Sequence, residues 1–523
     1  MSNLGEDKWS LSLLLGLPGT GKSTLLNTIS GKCSEKMYVL RCSVYGITAS
    51  IIKGCTVSHL IGNNDDKVDA PIRILDYDGL NKFSQKINKR KIGLIIIDEV
   101  STMTTRQFHI MDLRFRQVME NDEVPFGGIK VILCGDFMQN EAIGGDSLHV
   151  NSLLVARYNT NLSVPNERTR GLSAYLPEGV MQRTAEVFNQ AHLYFLKEQL
   201  RCNKIDEEHL GLVRRLHKGK GVTNEEIQNF DTMNSKTAQD PQWRYAPILV
   251  TSNFERSAIN FQKAIIFAKD KKEHVFRWKL DGKVVRGKGS MDDILDIEDC
   301  PGLWGYFVKG APVIITQNVN PNKNIANGTD GFYHSMIFED ESYSKYVADL
   351  ELLTPLGKII TLDKPPDHVV VRLERPNEID SKLQLDDEMF LIPISRNKNY
   401  PDSYRIWLKQ KGPFNDPMQV QVTDQQGVQL AFSYTFHKAV GQTIPKLILC
   451  LSKRPQYLAQ LTYRLLLVAL TRVENKKNIK ILSSAKEYLS YLCSLKSPED
   501  YFIWIKGFEN SADRRWNAEE SLK

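Results

Sequence analysis

The 523-residue sequence predicts an α/β protein with parallel sheets in two tandem domains, for three reasons. Short apolar runs bounded by turn residues alternate with amphipathic stretches through the first half, the pattern of an open parallel sheet flanked by helices. A glycine-rich loop follows the first apolar run and leads into the first helical stretch. The same alternation resumes late in the chain, after an interval of short β-type segments.

Taken in order, Leu11–Leu15, Met37–Arg41, Leu94–Ile97 and Lys130–Cys134 read as buried strands, and Thr24–Ser30, Thr105–Met119 and Ala185–Phe195 as helices. They predict a first domain running to about residue 180, with a short insertion near 62–90. A second domain is expected over 181–332 and 426–500, containing the strand Ala246–Thr251, the helix Glu255–Ala268, and the later segments Leu447–Leu451 and Leu461–Leu470. Between its halves, Val347–Leu353, Lys358–Leu362 and His368–Leu373 are short, β-branched and separated by Pro and Gly, so 333–425 is expected to be a small β-rich insertion. Residues 501–523 form a tail in which Tyr501–Ile505 reads as a packed helix or strand, with partner binding as the other reading.

Composition excludes some classes. About 41% of residues are apolar and 25% charged, as in globular proteins. No run approaches the roughly 18 apolar residues that span a bilayer, and Met1–Ser10 lacks the basic-then-apolar pattern of a signal peptide. The eight cysteines are scattered without C-x-x-C or zinc-type spacing. Reduced thiols in an intracellular protein are expected, in cytoplasm or nucleus or as a viral or phage product in a host cell. A net charge of +6 is too small for this length to argue for or against nucleic acid.

The strongest local signal is Gly16-Leu17-Pro18-Gly19-Thr20-Gly21-Lys22-Ser23, a complete G-x-x-x-x-G-K-[ST] run between strand and helix. Glycines let backbone N–H groups curl around phosphate oxygens, and the helix N-terminus adds its dipole. Lys22 would reach the terminal phosphates of ATP and Ser23 would ligate Mg²⁺, with Thr24 completing the nucleotide contacts. Leu94-Ile95-Ile96-Ile97-Asp98-Glu99 is a buried strand ending in two carboxylates. Asp98 would hold Mg²⁺ and Glu99 would activate the attacking water. The strand Val131–Cys134 runs into Gly135-Asp136-Phe137-Met138-Gln139, where Gln139 is placed to sense the γ-phosphate, although such a turn also serves purely structural ends.

Together, Asp98-Glu99-Val100-Ser101-Thr102-Met103, Pro125-Phe126-Gly127-Gly128-Ile129 and Gly135–Gln139 resemble the petite-integration-frequency (Pif-type) helicases, which belong with RecD and phage Dda in superfamily 1, subgroup B. The resemblance continues in family order through Leu196–Arg201, Gly310–Val313, Asn327-Gly328-Thr329-Asp330-Gly331, Thr435–Thr443 and Val468–Val473. It implies two tandem RecA-like phosphate-loop domains, the second carrying the β-rich insertion as an SH3-like barrel that closes over DNA. It also implies that Arg201 and Arg472 are arginine fingers, presented when the second domain closes on the first, and that Gly441 and Gln442 contact nucleotide. Gly46, Thr56, Ser58 and His59 would line the first domain's share of a single-strand track. Asn327, Thr435, His437 and Lys438 would line the second's, with a buried structural histidine as the other reading of His437.

The sequence departs from the family in three places: no Gln precedes the first strand, Ser58 stands where His is usual, and Gly144-Gly145 stand where Pro often follows the sensor Gln. The first departure leaves base selectivity open. Phe276-Arg277-Trp278-Lys279 fits either a stacking platform or an ordinary half-exposed strand, the second being preferred. Lys86–Lys91 reads as the solvated end of a helix rather than a nucleic-acid patch or targeting signal, and the polar stretch Gly62–Asp78 is the place for a strand-separating wedge. The expectation is a monomeric, ATP- and Mg²⁺-dependent helicase moving 5′ to 3′ on single-stranded DNA, with forked or tailed duplex as substrate and no membrane partner. A translocase that does not separate strands, an RNA-directed helicase and a nucleotide switch are the alternatives.

Overall fold

The computed structural model describes residues 9–62, 71–142, 144–160, 176–201, 206–287, 290–291, 300–320, 325–374, 384–386, 389–395, 405–408, 418–422, 427–451, 454, 459–482, 490–509, 511 and 513–523. The chain forms two compact units. Unit one is Met1–Val222, Thr462–Thr471 and Leu495–Lys523; unit two is Thr223–Leu461 and Arg472–Ser494.

Unit one is built on six strands: β1 (Leu11–Gly16), β2 (Tyr38–Ser43), β3 (Cys55–Thr56), β4 (Ile92–Asp98), β5 (Lys130–Gly135) and β6 (His192–Leu196). Their order is β3-β2-β4-β5-β1-β6, and every neighbouring pair is parallel. A parallel sheet covered on both faces needs continuous apolar runs rather than alternation. Leu94, Ile95, Ile96 and Ile97 on β4 are accordingly all buried.

The helix Thr105–Met119 spans the residues expected for it. Thr104 and Gln107 form a reciprocal capping box, and Glu120 ends the helix in the left-handed region. Within it, Asp112 pairs with Arg116 at 2.9 Å and accepts the Phe126 N–H at 2.6 Å. That bond anchors the Pro125–Gly128 turn, whose Phe126 ring packs edge-on against Phe108 at 5.3 Å. Gly127 has φ +61°, and a Cβ there would sit 2.5 Å from the Cβ of Met119. The Pro-Phe-Gly-Gly run is thus a structural clamp delivering the chain into β5.

The first domain does not end near residue 180, and Ala185–Phe195 is not one helix. The helix Glu178–Phe188 stops, the chain turns through Asn189, and His192–Leu196 becomes β6. Parallel pairing with β1, from Ser12↔His192 to Gly16↔Leu196, satisfies the backbone and overrides local helical preference. The boundary moves to Val222, and Arg201 falls in unit one. Tyr501–Ile505 lies in the helix Glu499–Lys506, where Tyr501 and Trp504 are buried within unit one.

Unit two carries a smaller, all-parallel sheet in the order Ser433–Thr435, Ile248–Val250, Leu447–Cys450, Ile479–Leu482. The helix Asn253–Lys271 begins with a Ser252/Glu255 capping box. The β-rich part starts earlier than expected. Val275–Lys279 pairs with Ile359–Leu362, Gly282–Arg286 with Met418–Val422, and Pro312–Ile315 with Asp330–Ile337. These ladders tie 275–315 to 333–425, so residue 333 is no structural boundary. Val347–Leu353 is helical rather than extended, inside Glu341–Leu353. Asp340 caps that helix by accepting the N–H groups of Ser342 and Tyr343. Tyr343, Val347 and Leu350, at helical spacing, pack on the core.

Phe276 and Trp278 are buried while Arg277 lies 4.2 Å over the Trp304 ring, so this segment is an ordinary strand. Lys86, Arg90 and Lys91 are exposed around the end of the helix Tyr77–Lys86, as expected of a solvated terminus. Residues 63–70, eight of the seventeen in the wedge candidate Gly62–Asp78, lie outside the described residues. Among the described residues no helix is long and apolar enough to cross a membrane.

Gly127→Ala should lower unfolding free energy by about 1–3 kcal/mol, because it adds both left-handed strain and a clash with Met119. Denaturant unfolding would show an earlier midpoint; an unchanged one would mean the clamp tolerates a Cβ.

Candidate nucleotide and nucleic-acid sites

β1 ends at Gly16, and the helix Lys22–Ser34 begins after the loop, with Gly21 (φ +81°, ψ 20°) as its N-cap and no side chain capping it. The first-turn N–H groups are therefore not taken by a cap side chain. Thr20 Oγ1 donates to Leu17 O at 2.9 Å, tightening the loop. Lys22 Nζ donates to Gly16 O at 2.6 Å and Leu17 O at 2.9 Å, so the ammonium lies folded over the loop. Thr24 is exposed in the first helical turn.

Gly19 needs to be glycine for a second reason besides its φ of +78°: a Cβ there would collide with Arg201 and Gln199. The segment after β6 lies directly on the loop. Leu200 N and Arg201 N both donate to Gly19 O, at 2.8 and 3.0 Å. The Gln199 amide donates to Pro18 O, and its Oε1 accepts from Arg201 N at 2.9 Å. The Arg201 guanidinium donates to Thr471 O at 3.2 Å. Arg201 is thus part of the phosphate-loop unit, not a residue of the second domain. Gln199, buried against the loop, has a role that sequence reading missed.

Ser23 Oγ donates to Asp98 Oδ2 at 3.0 Å, joining two residues 75 positions apart. Asp98 Oδ1 accepts the Glu99 N–H at 2.9 Å. Burial pushes the Asp98 carboxyl above the usual carboxylate range, against the Glu99 N–H bond, the Lys22 charge and the Ser23 hydroxyl. Glu99 adopts φ +57°, ψ 40°, a left-handed conformation that costs a non-glycine residue about 1–3 kcal/mol. Its carbonyl is pinned by Thr102, through Oγ1 at 2.8 Å and N at 3.1 Å. The left-handed residue breaks the extended line of β4 at Glu99.

The sensor loop follows β5. Asp136 is buried, accepts the Met138 N–H at 3.0 Å, and accepts from Gln139 Nε2 at 3.3 Å. His217 Nε2 lies 3.2 Å from Asp136 Oδ1. Burial alone would raise this carboxyl, but the His217 and Lys22 charges and the Met138 N–H hold it below its usual value. His217 lies 81 residues away, and no local pattern announces it.

The nucleic-acid candidates fall into two groups, one per unit. In unit one, Gly46 opens the helix Gly46–Ile51, and Ser43 Oγ bridges Thr48 Oγ1 at 2.6 Å and Asp98 O at 3.1 Å. Thr56 caps Val57–Ile61 by accepting from His59 N at 3.2 Å, which gathers Thr56, Ser58 and His59 on one short helix. Burial and the Lys86 charge lower the His59 imidazole below its ordinary pKa.

In unit two, Lys438 donates to Asn327 Oδ1, and Gln442 Nε2 donates to Gly328 O at 3.0 Å. Two motifs separated by more than a hundred residues thus form one cluster, with Gly441 at φ +80° inside it. Thr435 ends its strand, and His437 just beyond it keeps exposed surface while burial of its ring lowers the imidazole below its ordinary pKa. Arg472 is buried and donates to Ala439 O at 3.3 Å, beneath the Thr435–Gln442 segment.

Residues 5–151 match the PIF1-like helicase family. The ATP-dependent DNA helicase PIF1 of Trypanosoma brucei brucei is 32% identical over 133 residues, 25% of this chain and 13% of that protein. The Saccharomyces cerevisiae enzyme of the same name is 31% identical over 140 residues, 25% of this chain and 15% of that protein. The match therefore spans only a small part of these relatives. Structural likeness extends further. A Bacteroides Pif1 helicase in complex with ADP-AlF3 and ssDNA superposes with TM-score 0.59 at 17% identity, covering 99% of this chain and 97% of that one. The Candida albicans Pif1 helicase gives TM-score 0.54 at 17% identity, with 94% of each chain covered. The fold is that of two RecA-like domains. The chain is thus similar to PIF1-like helicases in sequence over residues 5–151 and in fold along nearly its whole length.

Proposed function

We propose that the protein is an ATP-dependent DNA helicase that translocates 5′ to 3′ on single-stranded DNA as a monomer and opens forked or tailed duplexes. The observation that carries the reading is the Ser23–Asp98 contact between the phosphate loop's helix and the end of β4, with Glu99 next in the chain in a left-handed turn. One hydroxyl and one carboxylate form an all-oxygen donor pair, which suits Mg²⁺ completed by phosphate and water. When bound, Mg²⁺ would neutralise charge on the β- and γ-phosphates.

The chain's own residues do the rest. Gly19, Thr20 and Gly21 present backbone N–H groups to the phosphates, Gly16 and Pro18 shape the loop that carries them, and Lys22 swings from its loop carbonyls to the terminal phosphate. Glu99 takes the proton of the attacking water. Gln139 registers the γ-phosphate, while Arg201 and Arg472 offset charge that builds on the transferring group. Gly46, Thr56, Ser58, His59, Asn327, Thr435, His437 and Lys438 grip the strand. The structurally similar Bacteroides Pif1 was solved with single-stranded DNA and a nucleotide analogue, which supports these ligand classes here.

Steady-state ATP hydrolysis with and without single-stranded DNA or RNA tests the reading, followed by displacement assays on 5′- and 3′-tailed duplexes. DNA-stimulated turnover and 5′-tail preference are expected. Turnover indifferent to both polymers would replace the helicase with a nucleotide switch, RNA preference would redirect it, and stimulation without displacement would leave a translocase. Lys22→Ala should abolish turnover while single-strand binding persists. Glu99→Gln should retain ATP binding and lose hydrolysis by about 10²–10⁴-fold; hydrolysis near wild type would remove Glu99 as the base. His437→Ala should reduce stimulation by DNA more than nucleotide affinity, as titration of each ligand would show.

A further inference from the structure

β5 runs beside β1 with Gly135 paired to Leu15, so the sensor loop and the phosphate loop leave the sheet side by side. What holds the sensor loop comes from far along the chain. Arg464 is buried at the start of the helix Tyr463–Leu470. Its Nε donates to Phe137 O at 3.1 Å, its Nη1 pairs with the Glu141 carboxylate, and its Nη2 lies 3.4 Å from Asp500. One guanidinium therefore grips the loop on both sides of Gln139. A planar fork with several fixed donors suits that task, and a lysine could not reproduce it.

The neighbouring Tyr463 supports the other side of the sensor. Its hydroxyl bonds Leu216 O at 2.6 Å and Lys220 O at 2.8 Å, flanking His217, which faces Asp136. The helix Glu499–Lys506 completes the brace. Asp500 bonds His149 at 3.0 Å as well as Arg464, and Trp504 meets the Phe137 ring edge-on at 5.2 Å while stacking on Phe188. Trp516 Nε1 in turn donates to Trp504 O at 2.8 Å.

We propose that Arg464 is a positioning residue for ATP hydrolysis, holding Phe137–Glu141 so that Gln139 stays in register with the phosphate loop, and that the helix Glu499–Lys506 locks Arg464 in place. This rests on the proposed ATPase reading, and it adds a residue that touches neither nucleotide nor DNA. Because Arg464 acts through Gln139, its loss should matter only while Gln139 is present.

The test is a double-mutant cycle in the full chain, measuring kcat and KM for ATP in the presence of single-stranded DNA for wild type, Arg464→Met, Gln139→Ala and the double variant. Arg464→Met is expected to lower kcat by about ten- to a hundredfold with ATP KM near wild type, and the double variant should be no slower than Gln139→Ala alone. Wild-type kcat in Arg464→Met, or losses that multiply in the double variant, would overturn the proposal. A wild-type protein that does not hydrolyse ATP would instead overturn the functional reading on which it rests. Should thermal melting show Arg464→Met unfolded, Asp500→Asn takes its place in the cycle with the same expected pattern and the same contrary result.

Discussion

The parallel register of β1 between β5 and β6 is the constraint on which the rest of unit one depends. Leu15 pairs with Gly135, and Gly16 pairs with Leu196. On the far side of the sheet Ser43 pairs with Asp98. Since every strand points the same way, each polar segment that follows a strand emerges at one edge, where ligands of open α/β sheets bind. The phosphate loop, the Asp98-Glu99 pair, the sensor loop and Gln199–Arg201 are neighbours for that reason alone. No side-chain contact had to bring them together; side chains then set distances that the backbone leaves loose.

Those side chains work against two costs. Asp98 is buried, which opposes its charge, and the Ser23 hydroxyl and Glu99 N–H supply the hydrogen bonds that a buried carboxylate requires. Glu99 sits in a backbone conformation disfavoured for its type, and two bonds from Thr102 to its carbonyl hold it there. Such strain persists where surrounding structure over-determines it. In unit two, the Lys438–Asn327 and Gln442–Gly328 bonds similarly join distant motifs into one cluster.

What could be read from sequence was what is local. The strand–loop–helix around Lys22 and the two carboxylates closing β4 carry their chemistry in consecutive residues, as does the helix Thr105–Met119 with its capping pair. β6 was hidden because His192–Leu196 is short and partly exposed, and only β1's free edge makes it a strand. The helix Glu341–Leu353 was hidden by β-branched and aromatic residues whose spacing matters more than their type. The contacts of His217 with Asp136, Arg464 and Trp504 with Phe137, and Asp500 with His149 could not be found by pattern, since the partners lie 81 to 367 residues apart and only folding reveals them. Arg201 stands out in its motif, but the unit it belongs to depends on β6 and so is not legible locally.

The assembly of unit one from Met1–Val222, Thr462–Thr471 and Leu495–Lys523 bears on how the protein is made. Domains ordinarily mature in the order in which the ribosome releases them. Here the nucleotide-binding sheet can form early, yet the aromatic cluster around Phe137 and Phe188 stays open to solvent until Trp504 emerges. Between those events all of Thr223–Leu461 is synthesised. A nascent chain therefore passes through a long interval with that apolar face uncovered, the condition in which chaperone capture or misassembly competes with completion.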